Sequence, residues 1–155
     1  MNAKTAVLFV CLGNICRSPL AEGVFRHVAA DAGLNDRFII DSAGTGAWHE
    51  GDLPDPRSIE VAARNGIDLT GQRARKFRPG DFSNFTHILG MDRSNVANLR
   101  RAMPAGATCE IHLFLEFATG QATDIPDPYY GGPDGFDKVY RTIRAASESL
   151  VAKLV

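Results

Sequence analysis

The sequence lacks the features that would direct the chain to a membrane, to nucleic acid or to a disulfide-stabilised fold. Its first apolar run is about five residues long, far short of the ~20 that a membrane-spanning helix needs, and no signal peptide precedes it. Lys and Arg number 17 against 18 Asp and Glu, so a net charge of -1 provides no broad basic surface for nucleic acid. The three cysteines, an odd number, form no disulfide framework. We therefore expect a protein of the reducing cytoplasm.

Composition predicts one ordinary globular domain over residues 1–155. Hydrophobic residues make up 45% of the chain and charged residues 23%, which is typical of a chain that buries its own core. The four histidines have none of the spacings that are typical of metal ligands, so we expect no metal site.

Strand-like and helix-like segments alternate along the chain. Continuous or mostly apolar runs predict four strands, over residues 6–10, 38–40, 86–89 and 109–114. Helical periodicity and capping residues predict four helices. Three of them span residues 19–33, 57–65 and 136–154, and the fourth begins at Asp92 or Arg93 and ends before Pro104. Gly, Pro and Asp are frequent in two long predicted loops, over residues 45–56 and 124–135. This order indicates an α/β three-layer sandwich of the flavodoxin-like type, in which a four-stranded parallel sheet carries helices on both faces.

The loop between the first strand and the first helix combines groups for binding phosphate with a nucleophile. Backbone N–H groups of such a loop, together with the helix N-terminus, attract an anion and favour the thiolate of Cys11. Gly13 permits close backbone approach, Asn14 tolerates the left-handed conformation, and Arg17 can hold two phosphate oxygens. Ser18 can donate a hydrogen bond to the sulfur. A lone cysteine at a strand end is usually a buried apolar side chain, but these neighbours indicate a nucleophile.

Four stretches of the chain resemble the low-molecular-weight protein tyrosine phosphatases, a family whose members are about this length. They read VCLGNICRSP at 10–19, DSAGT at 41–45, MDRSN at 91–95 and IPDPY at 125–129. The resemblance implies hydrolysis of phosphotyrosine through a cysteinyl-phosphate, with no metal or other cofactor. The phosphate-binding residues that it implies are Leu12, Gly13, Asn14, Ile15, Cys16, Arg17 and Ser18.

Asp127 is the candidate general acid and base. An aspartate before a proline is commonly a turn former, but a phenolate leaving group has to be protonated as its bond to phosphorus breaks. The resemblance implies that Asp127 gives this proton and later activates water. It also implies that Ser42 hydrogen-bonds Asn14 and, with Ser18, supports the loop.

Three aromatic residues are candidates for the walls of a slot that admits a phenyl ring: Trp48, Tyr129 and Tyr130. A single tryptophan in a loop could equally cover a hydrophobic patch. The resemblance places Trp48 and Tyr129 at the mouth of the site. It further implies that the two tyrosines can be phosphorylated by a partner tyrosine kinase.

Cys16 is a candidate redox partner of Cys11. Two cysteines in one loop can form a reversible disulfide that protects the nucleophile from over-oxidation, although Cys16 could instead be a packed thiol. Cys109 follows an apolar pattern, and we expect it to be inert.

A phosphotyrosine-containing protein or peptide is the expected substrate, with inorganic phosphate as product and inhibitor. A thiol-coupled arsenate reductase would need further cysteines after the third strand, and residues 90–107 contain none. The resemblance implies that a protein-arginine phosphatase on the same scaffold has threonine in this loop, at the position where this chain has the apolar Ile15. A phosphopeptide-binding module without activity would need neither Cys11 nor Asp127.

Overall fold

A parallel sheet of four strands forms the middle layer of the fold. In the computed structural model, which describes residues 4–130, 132 and 134–155, the strands are β1 (Thr5–Cys11), β2 (Phe38–Gly44), β3 (His87–Gly90) and β4 (Glu110–Leu113). Their order across the sheet is β2-β1-β3-β4, and every neighbouring pair is parallel. The predicted parallel sheet of flavodoxin-like order is confirmed.

Helices cover both faces of the sheet, as predicted. One face packs against α1 (Arg17–Asp31), α2 (Pro56–Arg64), α5 (Phe114–Thr119) and α6 (Asp134–Leu154). The other face packs against α3 (Asp81–Asn84) and α4 (Arg93–Ala102). Short 3-10 turns lie at Asn35–Arg37 and Pro128–Tyr130. Within the described part of the chain, none of the helices has both the length and the apolar character needed to cross a bilayer.

The central strand β1 is buried on both faces because its side chains alternate between two cores. Val7 and Phe9 pack with the α1 and α6 side, whereas Leu8 and Val10 pack with the α3 and α4 side. All four side chains are fully buried. Burial on both faces explains why this segment of the sequence is a continuous apolar run rather than an alternating one.

Strand β2 is longer than the sequence predicts. The prediction ends it at Ile40, because the residues that follow are typical of turns. In the structure, residues 41–44 continue the parallel pairing, opposite residues 8–11 of β1. Strand β1 pairs with these residues on one side, and on the other side Gly44 N donates to the Arg75 carbonyl oxygen at 2.9 Å. Arg75 also neutralises Asp41 through an ion pair of 3.1 Å between Nη2 and Oδ2.

The second half of the chain also departs from prediction. Residues 109–114 are not one strand, because Cys109 precedes β4 and Phe114 begins α5. Neither α3 nor α5 is predicted, since helices of 4 and 6 residues are too short to show a helical period. The predicted loop 124–135 contains one of the 3-10 turns, and α6 begins within it at Asp134.

The strand order creates a crevice at the carboxyl ends of β1 and β3. The chain leaves β1 toward β2 on one side of the sheet and leaves β3 toward β4 on the other side. Loops that diverge in this way open a space between them, which is where α/β sheets bind ligands. The loop that begins at Cys11 and the loop that contains Asp92 meet at this crevice.

Candidate active site

The loop from β1 to α1 has the conformation of an anion cradle. Asn14 has φ 56°, and it is the one non-glycine residue with positive φ among those described. This left-handed residue turns neighbouring backbone N–H groups toward a common centre. In the described part of the chain no side-chain hydrogen bond caps α1, so the N–H groups of its first turn are available to an anion.

The predicted nucleophile lies at the bottom of this loop. Cys11 is the last residue of β1 and only 3% of its surface is exposed. Its Sγ lies 2.9 Å from Ser18 Oγ, as expected for a hydroxyl that supports the sulfur. Asn14 Nδ2 donates to the same Ser18 oxygen at 2.9 Å, so the serine is held in place from behind.

The guanidinium of Arg17 is buried and is held by two other loops. Its Nη1 donates to Asp92 Oδ2 at 2.8 Å and to the carbonyl oxygen of Ile125 at 2.8 Å. Its Nη2 lies 3.7 Å from Asp127 Oδ2. Asp92 also begins α4 as its N-cap, with a reciprocal capping box to Asn95. From the sequence, Asp92 is expected only to start this helix, although an acidic residue just after a strand end is a signal for such a contact.

Cys11, Arg17 and Asp127 come together around one cavity of about 330 Å³. Asp127 is about one-third exposed, and its Oδ1 accepts a hydrogen bond of 3.0 Å from the backbone N–H of Tyr129. This bond orients the carboxyl group while Oδ2 faces Arg17. The remaining residues that line the cavity are Leu12, Gly13, Ile15, Cys16, Trp48, His49 and Tyr129.

Aromatic side chains form the outer part of the cavity wall. Trp48 is 71% exposed, and its ring packs directly over Gly46. A Cβ atom at position 46 would be 1.8 Å from Cζ3 of the Trp48 ring, so only glycine fits there. Tyr129 is 40% exposed, and the Arg57 guanidinium lies 5.3 Å from its ring centroid. The side chain of Tyr130 lies outside the described residues. His49 also lines the cavity and is not predicted from the sequence, although it follows Trp48 directly.

The predicted contact between Ser42 and Asn14 is present, and it extends further than the sequence indicates. Asn14 Nδ2 donates to Ser42 Oγ at 3.0 Å, and Ser42 Oγ donates to Glu22 Oε1 at 2.7 Å. On its other side, Asn14 Oδ1 accepts the backbone N–H of Arg75 at 2.9 Å. Glu22 is not predicted, because nearly all of the first half of α1 is buried and no polar face marks it.

Cys16 lines the same cavity but is only 5% exposed. Burial, followed by the negative charge of Asp55, raises the pKa of the Cys16 thiol, so the thiol keeps its proton at neutral pH. The redox role of Cys16 stays a prediction. Within the described residues, no group of three or more His, Cys, Asp and Glu side chains could hold a metal ion.

Comparison with known proteins places this site among phosphatases. Residues 6–155 match the family model described as low molecular weight phosphotyrosine protein phosphatase. The protein of that name from Schizosaccharomyces pombe is 53% identical over 142 residues, which are 90% of each chain. A protein tyrosine phosphatase from Entamoeba histolytica superposes with TM-score 0.91 at 39% identity, covering 97% of each chain. A drosophila arginine phosphatase superposes with TM-score 0.88 at 32% identity, covering 96% of each chain.

Removal of the Asp92 charge should destabilise the protein unless an anion replaces it. We expect Asp92→Asn to lower the free energy of unfolding by about 1–3 kcal/mol, because asparagine still caps α4 but leaves the Arg17 charge less compensated. Inorganic phosphate should recover part of this loss by binding Arg17. Urea unfolding with and without phosphate measures both effects.

Asp124→Asn is the matched control for this experiment. Asp124 pairs with Arg93 on the surface, where 39% and 72% of the two side chains are exposed. Its loss should cost less than about 1 kcal/mol. Equal stability of the two variants would contradict the proposed dependence of Arg17 on Asp92.

Proposed function

The chain belongs to the low molecular weight phosphotyrosine protein phosphatase family, and on that premise we propose that it removes phosphate from tyrosine through a phosphocysteine at Cys11. One observation carries the proposal, namely that the Cys11 thiol, the Arg17 guanidinium and the Asp127 carboxyl group line the same cavity. Hydrolysis of a phosphate monoester needs a nucleophile, a clamp for the phosphate oxygens and an acid for the leaving group. These three side chains supply them.

The proposed reaction has two steps. First, the Cys11 thiolate attacks phosphorus, the bond to the phenolic oxygen breaks, and Asp127 gives that oxygen its proton while Arg17 and the loop N–H groups hold the phosphate. Second, the ionised Asp127 takes a proton from a water that attacks phosphorus. The bond to sulfur then breaks, the thiolate returns and phosphate leaves. Ser18 Oγ, at 2.9 Å from the sulfur, donates to the thiolate as it leaves.

The cavity supports an aryl phosphate within a protein or peptide as substrate. Its lining includes the apolar Ile15 and the exposed aromatic rings of Trp48 and Tyr129, and these rings suit the two faces of a phenyl ring. In this proposal a tyrosine kinase supplies the phosphorylated substrate. Inorganic phosphate is the product and competes for the loop. The reducing cytoplasm is the compartment in which Cys11 would stay a thiol.

Oxidation is a proposed means of regulation at the same site. Peroxide would convert Cys11 to a sulfenic acid, and attack by the Cys16 sulfur would expel water and form a disulfide that a cellular thiol reduces. Both sulfurs line the cavity, which supports this pairing. The protonated, buried state of Cys16 favours a slow reaction, so the disulfide would form under sustained rather than brief oxidation.

Replacement of the nucleophile should separate binding from turnover. We expect Cys11→Ser to reduce hydrolysis of p-nitrophenyl phosphate to background without added metal, because a serine hydroxyl is a far weaker nucleophile than a thiolate. Phosphate binding should persist in calorimetry. Cys109→Ser, outside the cavity and only partly buried, is the control and should keep activity within about two-fold. Turnover by Cys11→Ser at the wild-type rate would refute the mechanism.

The role of Asp127 predicts a dependence on the leaving group. We expect Asp127→Asn to lower kcat/KM, which reports the steps through release of the phenol, by about 10²–10⁴-fold for phenyl phosphate, whose leaving oxygen needs a proton. The loss in kcat/KM should be much smaller for p-nitrophenyl phosphate, whose leaving group departs readily as the anion. Asp124→Asn should leave both kcat/KM values unchanged. Equal losses in kcat/KM on both substrates would contradict the role of Asp127 as the acid for the leaving group.

Substrate choice between phosphotyrosine and phosphoarginine should depend on Ile15. We expect kcat/KM for a phosphotyrosine peptide to exceed that for a phosphoarginine peptide by at least about 100-fold, because the apolar wall leaves guanidinium N–H groups unpaired. Ile15→Thr should narrow this ratio, since the hydroxyl can accept one of those N–H groups. Comparable kcat/KM values for the wild-type enzyme would favour an arginine phosphatase instead.

A further inference from the structure

The proposed acid, Asp127, lies in the middle of a short and stiff segment. This segment, the acid loop (residues 125–129), reads Ile-Pro-Asp-Pro-Tyr. Each proline fixes its own φ at about −65° and keeps the residue before it out of the helical region. Such a segment has few conformations of its own. The direction of the Asp127 side chain therefore depends on where the two ends of the acid loop are held.

The first end of the acid loop is held at Ile125. The N–H of Ile125 donates to the carbonyl oxygen of Met91 at 2.9 Å, and its own carbonyl oxygen accepts Arg17 Nη1 at 2.8 Å. The direct contact of Asp127 with Arg17 is longer, at 3.7 Å between Oδ2 and Nη2. These contacts fix one end, about which a stiff segment can still pivot.

Arg57 holds the other end of the acid loop. It lies on α2, is partly exposed, and has no part in the proposed reaction. Its Nη1 donates to the carbonyl oxygen of Tyr129 at 3.3 Å, and its Cζ lies 5.3 Å from the centroid of the Tyr129 ring. The backbone N–H of Tyr129 is in turn the donor to Asp127 Oδ1. Arg57 therefore contacts the residue that orients the acid.

The guanidinium of Arg57 is itself fixed from a second side. The two carboxylate oxygens of Asp55 accept its Nε at 3.0 Å and its Nη2 at 2.9 Å. Burial would raise the pKa of Asp55, but the hydrogen bonds and charge of Arg57 hold this pKa below its ordinary value, so the carboxyl group is ionised at neutral pH. The buried ring of Phe136 lies 4.6 Å from Arg57 Cζ.

Asp55 connects this arginine to the loop of the nucleophile. Its backbone N–H donates to the carbonyl oxygen of Ile15 at 2.7 Å. One side of the Arg57 guanidinium thus contacts a residue bonded to the nucleophile loop, and another side contacts a residue bonded to the acid. Because the guanidinium is planar and its donors have fixed directions, it sets the distance between these two partners.

We propose that Arg57 is a positioning residue for the general acid: its guanidinium connects Tyr129 to Asp55 and thereby keeps the Asp127 carboxyl group directed at the cavity. The proposal rests on the function proposed above, because it assigns this contact to proton transfer from Asp127. Arg57 is not one of the residues that line the cavity. A displaced acid would leave phosphate binding intact but would no longer reach the departing oxygen.

The test compares kcat/KM for phenyl phosphate and p-nitrophenyl phosphate in Arg57→Met, which removes the guanidinium but keeps an unbranched side chain. We expect kcat/KM for phenyl phosphate to fall by about ten-fold or more, because its leaving oxygen needs a proton from a well-placed acid. For p-nitrophenyl phosphate the fall should stay within about two-fold. Loss of a positive charge alone would affect both substrates equally, since both present the same phosphate group.

Arg64→Met is the matched control. Arg64 lies on the same helix and its Nη2 forms an ion pair of 3.0 Å with Asp137, which belongs to α6 rather than to the acid loop. Both kcat/KM values should stay within about two-fold of wild type. An equal fall in Arg57→Met and Arg64→Met overturns the proposal, as does an equal fall on the two substrates.

A variant without the acid separates positioning from a direct role of Arg57. If Arg57 acts only through Asp127, Arg57→Met should cause no further loss of kcat/KM for phenyl phosphate in an Asp127→Asn protein. Losses that multiply in the double variant overturn the proposal.

Arg57→Lys provides the same test if Arg57→Met does not fold. Lysine keeps a charge beside Asp55 but lacks the forked donors, so we expect a smaller loss that is again confined to phenyl phosphate.

Hydrogen exchange of the Tyr129 amide gives a readout that does not depend on activity. It should be at least about five-fold faster in Arg57→Met than in wild type and unchanged in Arg64→Met, because a freed loop end exposes this N–H more often. An unchanged exchange rate in Arg57→Met overturns the proposal. A wild-type protein that hydrolyses neither substrate would instead overturn the proposed function, and the exchange rate would still decide whether Arg57 holds the acid loop.

Discussion

The burial of one positive charge organises the site. Arg17 is 97% buried by its neighbours, and a guanidinium in such a position is stable only when acceptors surround it. Its partners, Asp92, the Ile125 carbonyl oxygen and Asp127, come from the loop after β3 and from the segment that precedes α6. The same ion pairs that stabilise the charge therefore fix the distance between the nucleophile loop and the acid loop.

The parallel sheet makes this arrangement possible. A ligand site at the ends of β1 and β3 can combine loops that are far apart in sequence. Here Arg17 and Asp92, which contact each other directly, are 75 positions apart in the chain. Backbone geometry provides the second requirement, because the left-handed Asn14 turns the loop toward an anion. Hydrogen bonds to Ser18, Ser42 and the Arg75 backbone hold that conformation, which an isolated loop would rarely adopt.

The sequence predicts the parts of this site that are local in the chain. The loop from Cys11 to Ser18 is contiguous, and the buried strand before it has a continuous apolar pattern, so both can be recognised from the sequence alone. The contacts of Asp92 and Glu22 depend on tertiary structure: the first begins a helix like many other aspartates, and the second lies on a helix without a polar face. Turn-type residues 41–44 are extended because β1 pairs with them and because residues 75 and 77 hydrogen-bond Gly44 on the other side. Elements as short as α5 cannot be predicted from the sequence, because they are too short to show a helical period.

Charge balance links the support of the site to its chemistry. Asp92 and Asp127 both face Arg17, but Asp92 is the closer partner, at 2.8 Å against 3.7 Å. In the proposed mechanism Arg17 holds the phosphate, and the nitrogen best placed to do so is Nη2, because Nη1 already donates to Asp92 and to the Ile125 carbonyl oxygen. Asp127 faces the same Nη2 and would therefore lie beside the bound phosphate, where the departing phenol needs an acid.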